Sequence, residues 1–250
     1  MGIIETDAIL LKKTELRETS LLVDFYTRES GKIKGVIKGV RNPQPQFGSV
    51  YEAVTLDRIV FYEKTNRAIN LVSQCDLLDF FYPLRQGLDR LSFAIYFTEL
   101  IDATCQYGQA NADIYELLLG SLRFLCGNGS ARRIARIFEI KLMKYLGMMP
   151  VMKRCVNCDV DVIERPKFSV KNGGVLCPDC YSSDSGCRPI LTGTVNFIES
   201  VAALPLDKVT RVKVAKQVGR DVEHLMRGFL EYHLQKRFRT VIFMENAGII

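Results

Sequence analysis

Four of the eight cysteines in this chain have a spacing that does chemistry: Cys155-x2-Cys158, then eighteen residues, then Cys177-x2-Cys180. Two such pairs bring four thiolates around one tetrahedral ion, and Zn²⁺ is the expected occupant because it favours soft sulfur ligands and has no redox chemistry of its own. Each pair needs a tight turn, and Asn157, Pro178 and Asp179 supply turn-forming residues. Between the pairs, Lys171-Asn172-Gly173-Gly174 is a turn signal flanked by short apolar runs, so the segment reads as a zinc ribbon. Four cysteinates fill the tetrahedron and leave no position for water or substrate, which makes the one expected ion structural. Such a site contributes on the order of 10 to 16 kcal/mol of apparent folding free energy, enough to order a loop-rich segment with little core.

The other cysteines read differently. Cys75, Cys105 and Cys126 lie in or beside apolar stretches and are expected as small core residues, while Cys187 is the one plausible substitute ligand. The two histidines, His224 and His233, have no partner at metal spacing and are expected not to bind the ion.

Charge gives the second chemical signal. The net charge is +6, but residues 28–41 carry +4 and residues 208–239 carry +6, so the remainder is acidic. Basic charge gathered in two segments suits a polyanion such as nucleic acid. In the run Lys32 to Lys38, period two puts Lys32, Lys34, Val36 and Lys38 on one face of a strand and Ile33, Gly35 and Ile37 on the other. Same-face neighbours stand roughly 6.6 Å apart, a spacing that lets successive ammonium groups follow a phosphate backbone. Arg28 and Arg41 flank this row. Beyond it, Asn42-Pro43-Gln44-Pro45-Gln46-Phe47-Gly48 is a polar loop with one aromatic able to stack on a base or to anchor the loop.

The elements that must hold these groups follow from periodicity. Residues 4–12, 20–27, 32–38, 51–62 and 68–77 are rich in Val, Ile, Tyr and Thr and are separated by turn residues, which predicts five strands. Five strands of this length suggest a small closed barrel, and the OB-fold is the common five-stranded barrel that binds nucleic acid. After Pro83 the period changes to 3.6. Leu88, Leu91, Ile95 and Leu100 mark one helix. Ile114, Leu117, Leu118, Leu122 and Leu125 mark a second, with Asn111 placed to cap it. Ile134, Ile137, Phe138, Leu142 and Tyr145 mark a third, ended by Gly147 and Pro150. Val218, Val222, Leu225, Met226, Phe229 and Leu230 trace one face of a long basic helix within residues 208–239. The expected fold is therefore α+β and multidomain. Residues 1–80 form the barrel, and residues 81–250 form a helical domain with an inserted four-cysteine zinc ribbon at about 151–190.

No G-x-x-x-x-G-K-[ST], G-x-S-x-G or H-E-x-x-H motif occurs, and no pair of carboxylates stands out for two-metal chemistry, so binding rather than catalysis is expected. There is no run of eighteen apolar residues, the first residues are acidic rather than basic, and the cysteines follow a metal pattern. These features predict a cytoplasmic protein without membrane spans.

Taken in order, local runs resemble the RecO family of bacterial recombination mediators. They are Glu18-Thr19-Ser20, Thr27-Arg28-Glu29 with Gly31, Lys38-Gly39-Val40-Arg41 and Phe47-Gly48. Then come Phe138-Glu139 to Leu146-Gly147, Arg154-Cys155-Val156-Asn157-Cys158, and the closing run from Tyr232 to Thr240. The resemblance spans the chain. It implies an N-terminal OB-fold, binding of single- and double-stranded DNA, and annealing of complementary strands. It also implies work with RecR to help RecA displace single-strand binding protein (SSB), docking on the acidic, hydrophobic SSB C-terminal tail, and a place at the bacterial nucleoid. Arg28, Lys32, Lys34, Lys38 and Arg41 are the expected DNA-binding residues, with Lys236, Arg237 and Arg239 extending the path. The competing expectation is a zinc-ribbon RNA-binding or transcription-associated module, since a barrel and a basic helix would serve it equally well.

Overall fold

Period-two alternation rolls the first part of the chain into a barrel. The computed structural model describes residues 2–16, 20–39, 52–63, 69–162, 164–209, 212 and 214–250. They divide into two compact units: Met1–Ala131 with Phe238–Ile250, and Arg132–Arg237. Arg41, the loop 42–48 with Phe47, and the expected strand starts at Tyr51 and Ala68 lie outside the described residues.

In the first unit, β1 (Gly2–Leu16), β2 (Ser20–Thr27), β3 (Gly31–Lys38), β4 (Leu56–Glu63) and β5 (Asn70–Asp79) close in the order β1-β2-β3-β5-β4, with β4 returning to β1. Every pairing is antiparallel except β3 with β5. The inward residues are those that alternation predicts, among them Leu10, Val23, Phe25, Ile33, Ile37, Ile59 and Phe61, with Cys75 packed among them. Full burial of each large apolar side chain contributes about 1.5 to 3 kcal/mol relative to exposure. Gly35 is required where β3 meets β5, because a Cβ there would lie 2.5 Å from Val72 Cγ2. β4 begins at Leu56, later than the sequence predicts, because Val54 turns left-handed at φ 58° and Thr55 Oγ1 donates to the buried Asp57 carboxylate at 2.7 Å.

The same unit includes α1 (Leu88–Thr104), α2 (Ala112–Cys126) and, from the end of the chain, α7 (Arg239–Asn246). Asn111 caps α2 as expected, its side-chain oxygen accepting from the Ile114 amide at 3.1 Å. The Phe238 ring meets Tyr96 edge-on at 5.8 Å. One carboxylate, Glu99 on α1, accepts from the Arg239 amide (3.0 Å), the Thr240 amide (3.0 Å) and the Thr240 hydroxyl (2.6 Å). It thereby satisfies two of the orphan donors at the N-terminus of α7.

The second unit holds α3 (Ala131–Tyr145) from its second residue on, a small sheet of β6 (Lys167–Ser169), β7 (Gly174–Leu176) and β8 (Arg188–Pro189) in the order β7-β6-β8, then α4 (Thr192–Ala203), α5 (Leu206–Val209) and α6 (Lys216–Leu234). The basic stretch 208–239 is thus not one helix. It spans the end of α5, the whole of α6 and the first residue of α7, and α6 stops where Gln235 turns left-handed at φ 48°.

The ends of α4 are completed by its neighbours. Asp221 of α6 accepts from the Leu191 amide (3.0 Å) and the Thr194 hydroxyl (2.6 Å) at its start, and Lys141 and Lys144 of α3 donate to the carbonyls of Leu204 (2.6 Å) and Ala202 (2.7 Å) at its finish. An anion at the N-terminus and cations at the C-terminus both oppose the helix dipole. Replacing Asp221 by Ala should therefore cost about 1 to 2 kcal/mol. Urea denaturation measures this, and an unchanged midpoint would mean that the cap contributes nothing.

Candidate metal centre and nucleic-acid interface

Two short turns carry the four thiols. In the first, the Asp159 amide donates to the Cys155 carbonyl (2.8 Å), the Cys155 amide donates to the Val160 carbonyl (2.7 Å), and Asp159 is left-handed at φ 61°. Arg154 holds this turn from outside, 3.1 Å from Asp159 and 3.5 Å from Asp161. In the second, Pro178 opens a short helical turn and the Cys180 amide donates to the Cys177 carbonyl (3.0 Å). The β6–β7 hairpin lies between them and reverses at the Lys171–Gly174 signal, with Gly173 at φ 78°. The Val156 amide donates to the Val175 carbonyl at 2.9 Å and fastens the first turn to β7.

This arrangement gathers the sulfur atoms of Cys155, Cys158, Cys177 and Cys180 within 4.8 Å of one another, with Cys158 and Cys177 at 3.6 Å. A tetrahedron with metal–sulfur bonds of about 2.3 Å has edges of roughly 3.8 Å, so the four ligand atoms fit a single ion. The electrostatics point the same way. Burial works against ionising Cys155, but the amides of Cys177, Asn157 and Cys158 outweigh it and draw its thiol below the usual range. The thiols of Cys158 and Cys177 push Cys180 well above it. Four thiolates so close repel one another, and a divalent cation removes that conflict. Cys187 packs against the cluster while its thiol faces the Tyr181 carbonyl at 3.8 Å. Neither histidine joins the cluster: His224 lies 3.4 Å from Arg188, and His233 faces the Val170 carbonyl at 2.9 Å.

The basic row of β3 needs one correction. Lys32 is only 5% exposed, and its ammonium lies 2.7 Å from the Asp102 carboxylate and 2.6 Å from the Asp102 carbonyl. An ammonium held there cannot reach a phosphate, so Lys32 leaves the row. Strand period tells which face a side chain takes, and the covering Asp102 comes from α1, seventy residues away in sequence. Lys34 is half-buried with its ammonium 5.1 Å from the centre of the Tyr107 ring, and Lys38 is exposed at the end of β3. Arg28 is exposed on the β2–β3 turn, 3.5 Å from Glu116. Arg239, also exposed, opens α7 in the first unit, whereas Lys236 and Arg237 belong to the second.

Two features were not singled out from the sequence. Tyr107 sits in the segment joining α1 to α2, and an aromatic among Gln106, Gly108 and Gln109 was the available signal. In the second unit, adjoining clefts of about 360 and 470 Å³ lie between β8 and α6, with Phe168, Ile190 and Leu225 as apolar wall and Arg188, Arg220, Asp221 and His224 as polar rim, Asp221 being engaged at the start of α4. Their parts come from two separate stretches, residues 168–191 and 217–228, so no local pattern marks them.

Comparison with known proteins then decides the family. Residues 1–81 match the model for the recombination protein O N terminal domain, and residues 85–241 match that for the recombination protein O C terminal domain. The chain belongs to the recombination protein O family. It is similar to proteins named DNA repair protein RecO from Desulforamulus reducens (30% identity, 98% of this chain and 95% of the relative) and Pelotomaculum thermopropionicum (30%, 99% and 96%). The RecO protein of Moorella thermoacetica is similar at 29% identity over 99% of this chain and 92% of its own length. The RecO runs noted in the sequence acquire physical roles here. Glu139 is fully buried on α3, with Arg136 at 2.8 Å. The closing run ends α6 at Leu234, buries Phe238 and brings Thr240 onto Glu99. Among the described residues, no helix is long and apolar enough to cross a membrane.

Proposed function

We propose that this protein is a DNA repair and recombination mediator that binds single- and double-stranded DNA, anneals complementary strands and, with RecR, helps load RecA onto SSB-coated DNA. The observation that carries the proposal is similarity to RecO proteins over nearly the whole length of both chains. Cations of the first unit support it. Lys34 and Lys38 on β3, Arg28 on the adjoining turn and Arg239 at the start of α7 offer phosphate contacts that do not read base sequence. Arg41, Lys236 and Arg237 are further contacts in this proposal. Annealing asks for phosphates to be neutralised while base edges stay free to pair, and a row of cations does this. Cys155, Cys158, Cys177 and Cys180 would hold one Zn²⁺. The ion would order the ribbon and supply no reaction chemistry, because four thiolates would complete its coordination. The mediator works as a binding protein, at the nucleoid in the cytoplasm.

Docking of the SSB tail is assigned to the clefts beside α6. An acidic peptide with an apolar end suits a slot whose wall is Phe168, Ile190 and Leu225 and whose rim is Arg188 and Arg220. RecA assembly on SSB-coated single strands tests the reading. With RecR present, wild type should speed assembly, while a variant carrying Arg188→Glu and Arg220→Glu should lose at least about tenfold of that effect, consistent with two lost charge contacts. The variant should still bind bare DNA. Equal acceleration by both would remove the tail from these clefts, and no acceleration by wild type would remove the mediator function.

A further inference from the structure

The segment between α1 and α2 holds an aromatic ring in a fixed pose beside the basic row. Tyr107 pairs with Lys32 in a parallel bridge, and the Gly108 amide donates to the Lys32 carbonyl at 2.9 Å. Gly31, at φ 63°, lets this segment approach, since a Cβ there would lie 2.1 Å from the Gln109 carbonyl oxygen. The phenol donates to Asp24 Oδ1 at 2.7 Å, and Asp24 is buried with Lys12 3.5 Å away. A tyrosine phenol is a donor at neutral pH in any case, and burial together with that carboxylate raises Tyr107 further above its usual range. The buried Lys32 ammonium lies 4.4 Å from the ring centre.

A ring anchored at its backbone, its hydroxyl and its cation contact would ordinarily be core. Tyr107 is 45% exposed, and its neighbours Gln106, Gly108, Gln109 and Ala110 are exposed as well. Its orientation is set before anything binds, so little further ordering is needed. The Lys34 ammonium lies over the same ring, 5.1 Å from its centre. A base that takes this face displaces the ammonium from the ring, and the flexible lysine stem lets it meet the phosphate of the same nucleotide.

We propose that Tyr107 is a stacking platform for one base of single-stranded DNA, with Lys34 contacting the adjoining phosphate. The proposal rests on DNA binding by the barrel face and adds to it a means of telling single strands from duplex. The bases of a duplex are already stacked on one another and do not reach the ring, whereas those of a single strand do.

The chain contains no tryptophan, so Tyr107→Trp installs a unique fluorophore at the site. Oligo(dT) should quench its emission on binding, and duplex of equal length, at equal saturation by anisotropy, should not. Tyr82→Trp, at a position 64% exposed elsewhere in the same unit, should respond to neither. Tyr107→Ala should weaken single-strand affinity roughly five- to hundredfold, from the usual worth of one stacked base, and leave duplex affinity within about twofold. Tyr107→Phe, which keeps the ring, should stay within about twofold on both. Unquenched emission from the Tyr107→Trp protein while anisotropy reports bound single strand would overturn the platform and leave the DNA-binding barrel standing. If the wild type binds no DNA at all, both fail together.

Discussion

Reversing Lys34, Lys38 and Arg41 to Glu is expected to abolish DNA binding while leaving the fold intact. Lys38 is exposed and Lys34 half-buried on β3, and neither belongs to the barrel's apolar interior, so changing these two leaves the core untouched. For single strands each phosphate contact contributes about 0.7 to the slope of log affinity against log salt. Loss of three contacts flattens that slope by about 2 and weakens binding about a hundredfold near 0.1 M salt, before the added repulsion of three carboxylates. Fluorescence anisotropy across a salt series reads both quantities. Circular dichroism and thermal unfolding check the fold. Unchanged affinity with an unchanged slope would sink the assignment of this face. The same reversal at Lys32 is expected to behave differently: with its partner Asp102 facing a carboxylate instead of an ammonium, it should destabilise the protein.

Loss of the metal is the second large effect. Cys177→Ser removes one of four ligands and introduces a hydroxyl where the thiol is buried. Metal affinity should fall by more than about a hundredfold, since changing even an outer-shell partner costs tenfold to a hundredfold. The ribbon then loses most of the on-the-order-of 10 to 16 kcal/mol that such an ion contributes. Its own apolar support is small: Cys155, Leu176 and Cys177, with a few half-buried neighbours. The expected result is one zinc per wild-type chain by elemental analysis, and less than a tenth of that after Cys177→Ser. Rapid protease cleavage within residues 151–190 should accompany the loss. Cys187→Ser, outside the cluster of four, should retain the zinc. A metal-free wild type resistant to protease would contradict a structural ion.

What the sequence made legible is what its local pattern encodes. The cysteine spacing identified the four thiols that meet, alternation found all five strands of the barrel, and Asn111 marked the start of α2. What it concealed depends on distant partners. α4 and α7 were not anticipated. Their N-cap residues, Leu191 and Phe238, make no side-chain capping bond, and the carboxylates that complete the two helices, Asp221 and Glu99, come from other helices. The burial of Lys32 was hidden for the same reason, because Asp102 and Tyr107 cover it from beyond the barrel. The clefts beside α6 take one wall from the small sheet and the other from the helix. Local spacing gives the face a residue occupies. Depth and partnership are set by contacts across the fold, which explains why the meeting of the four thiols was readable from their spacing and the burial of Lys32 was not.

The most direct test is annealing of two complementary labelled oligonucleotides, each coated with SSB, without nucleotide, by the wild type and by the Lys34, Lys38 and Arg41 reversal. Acceleration by the wild type alone is expected. It would identify a mediator that works through the barrel's basic face and needs no ATP. Failure of the folded, zinc-loaded wild type to accelerate annealing would contradict that function, and preferential binding of single-stranded RNA by the same preparation would turn the reading toward an RNA-binding module.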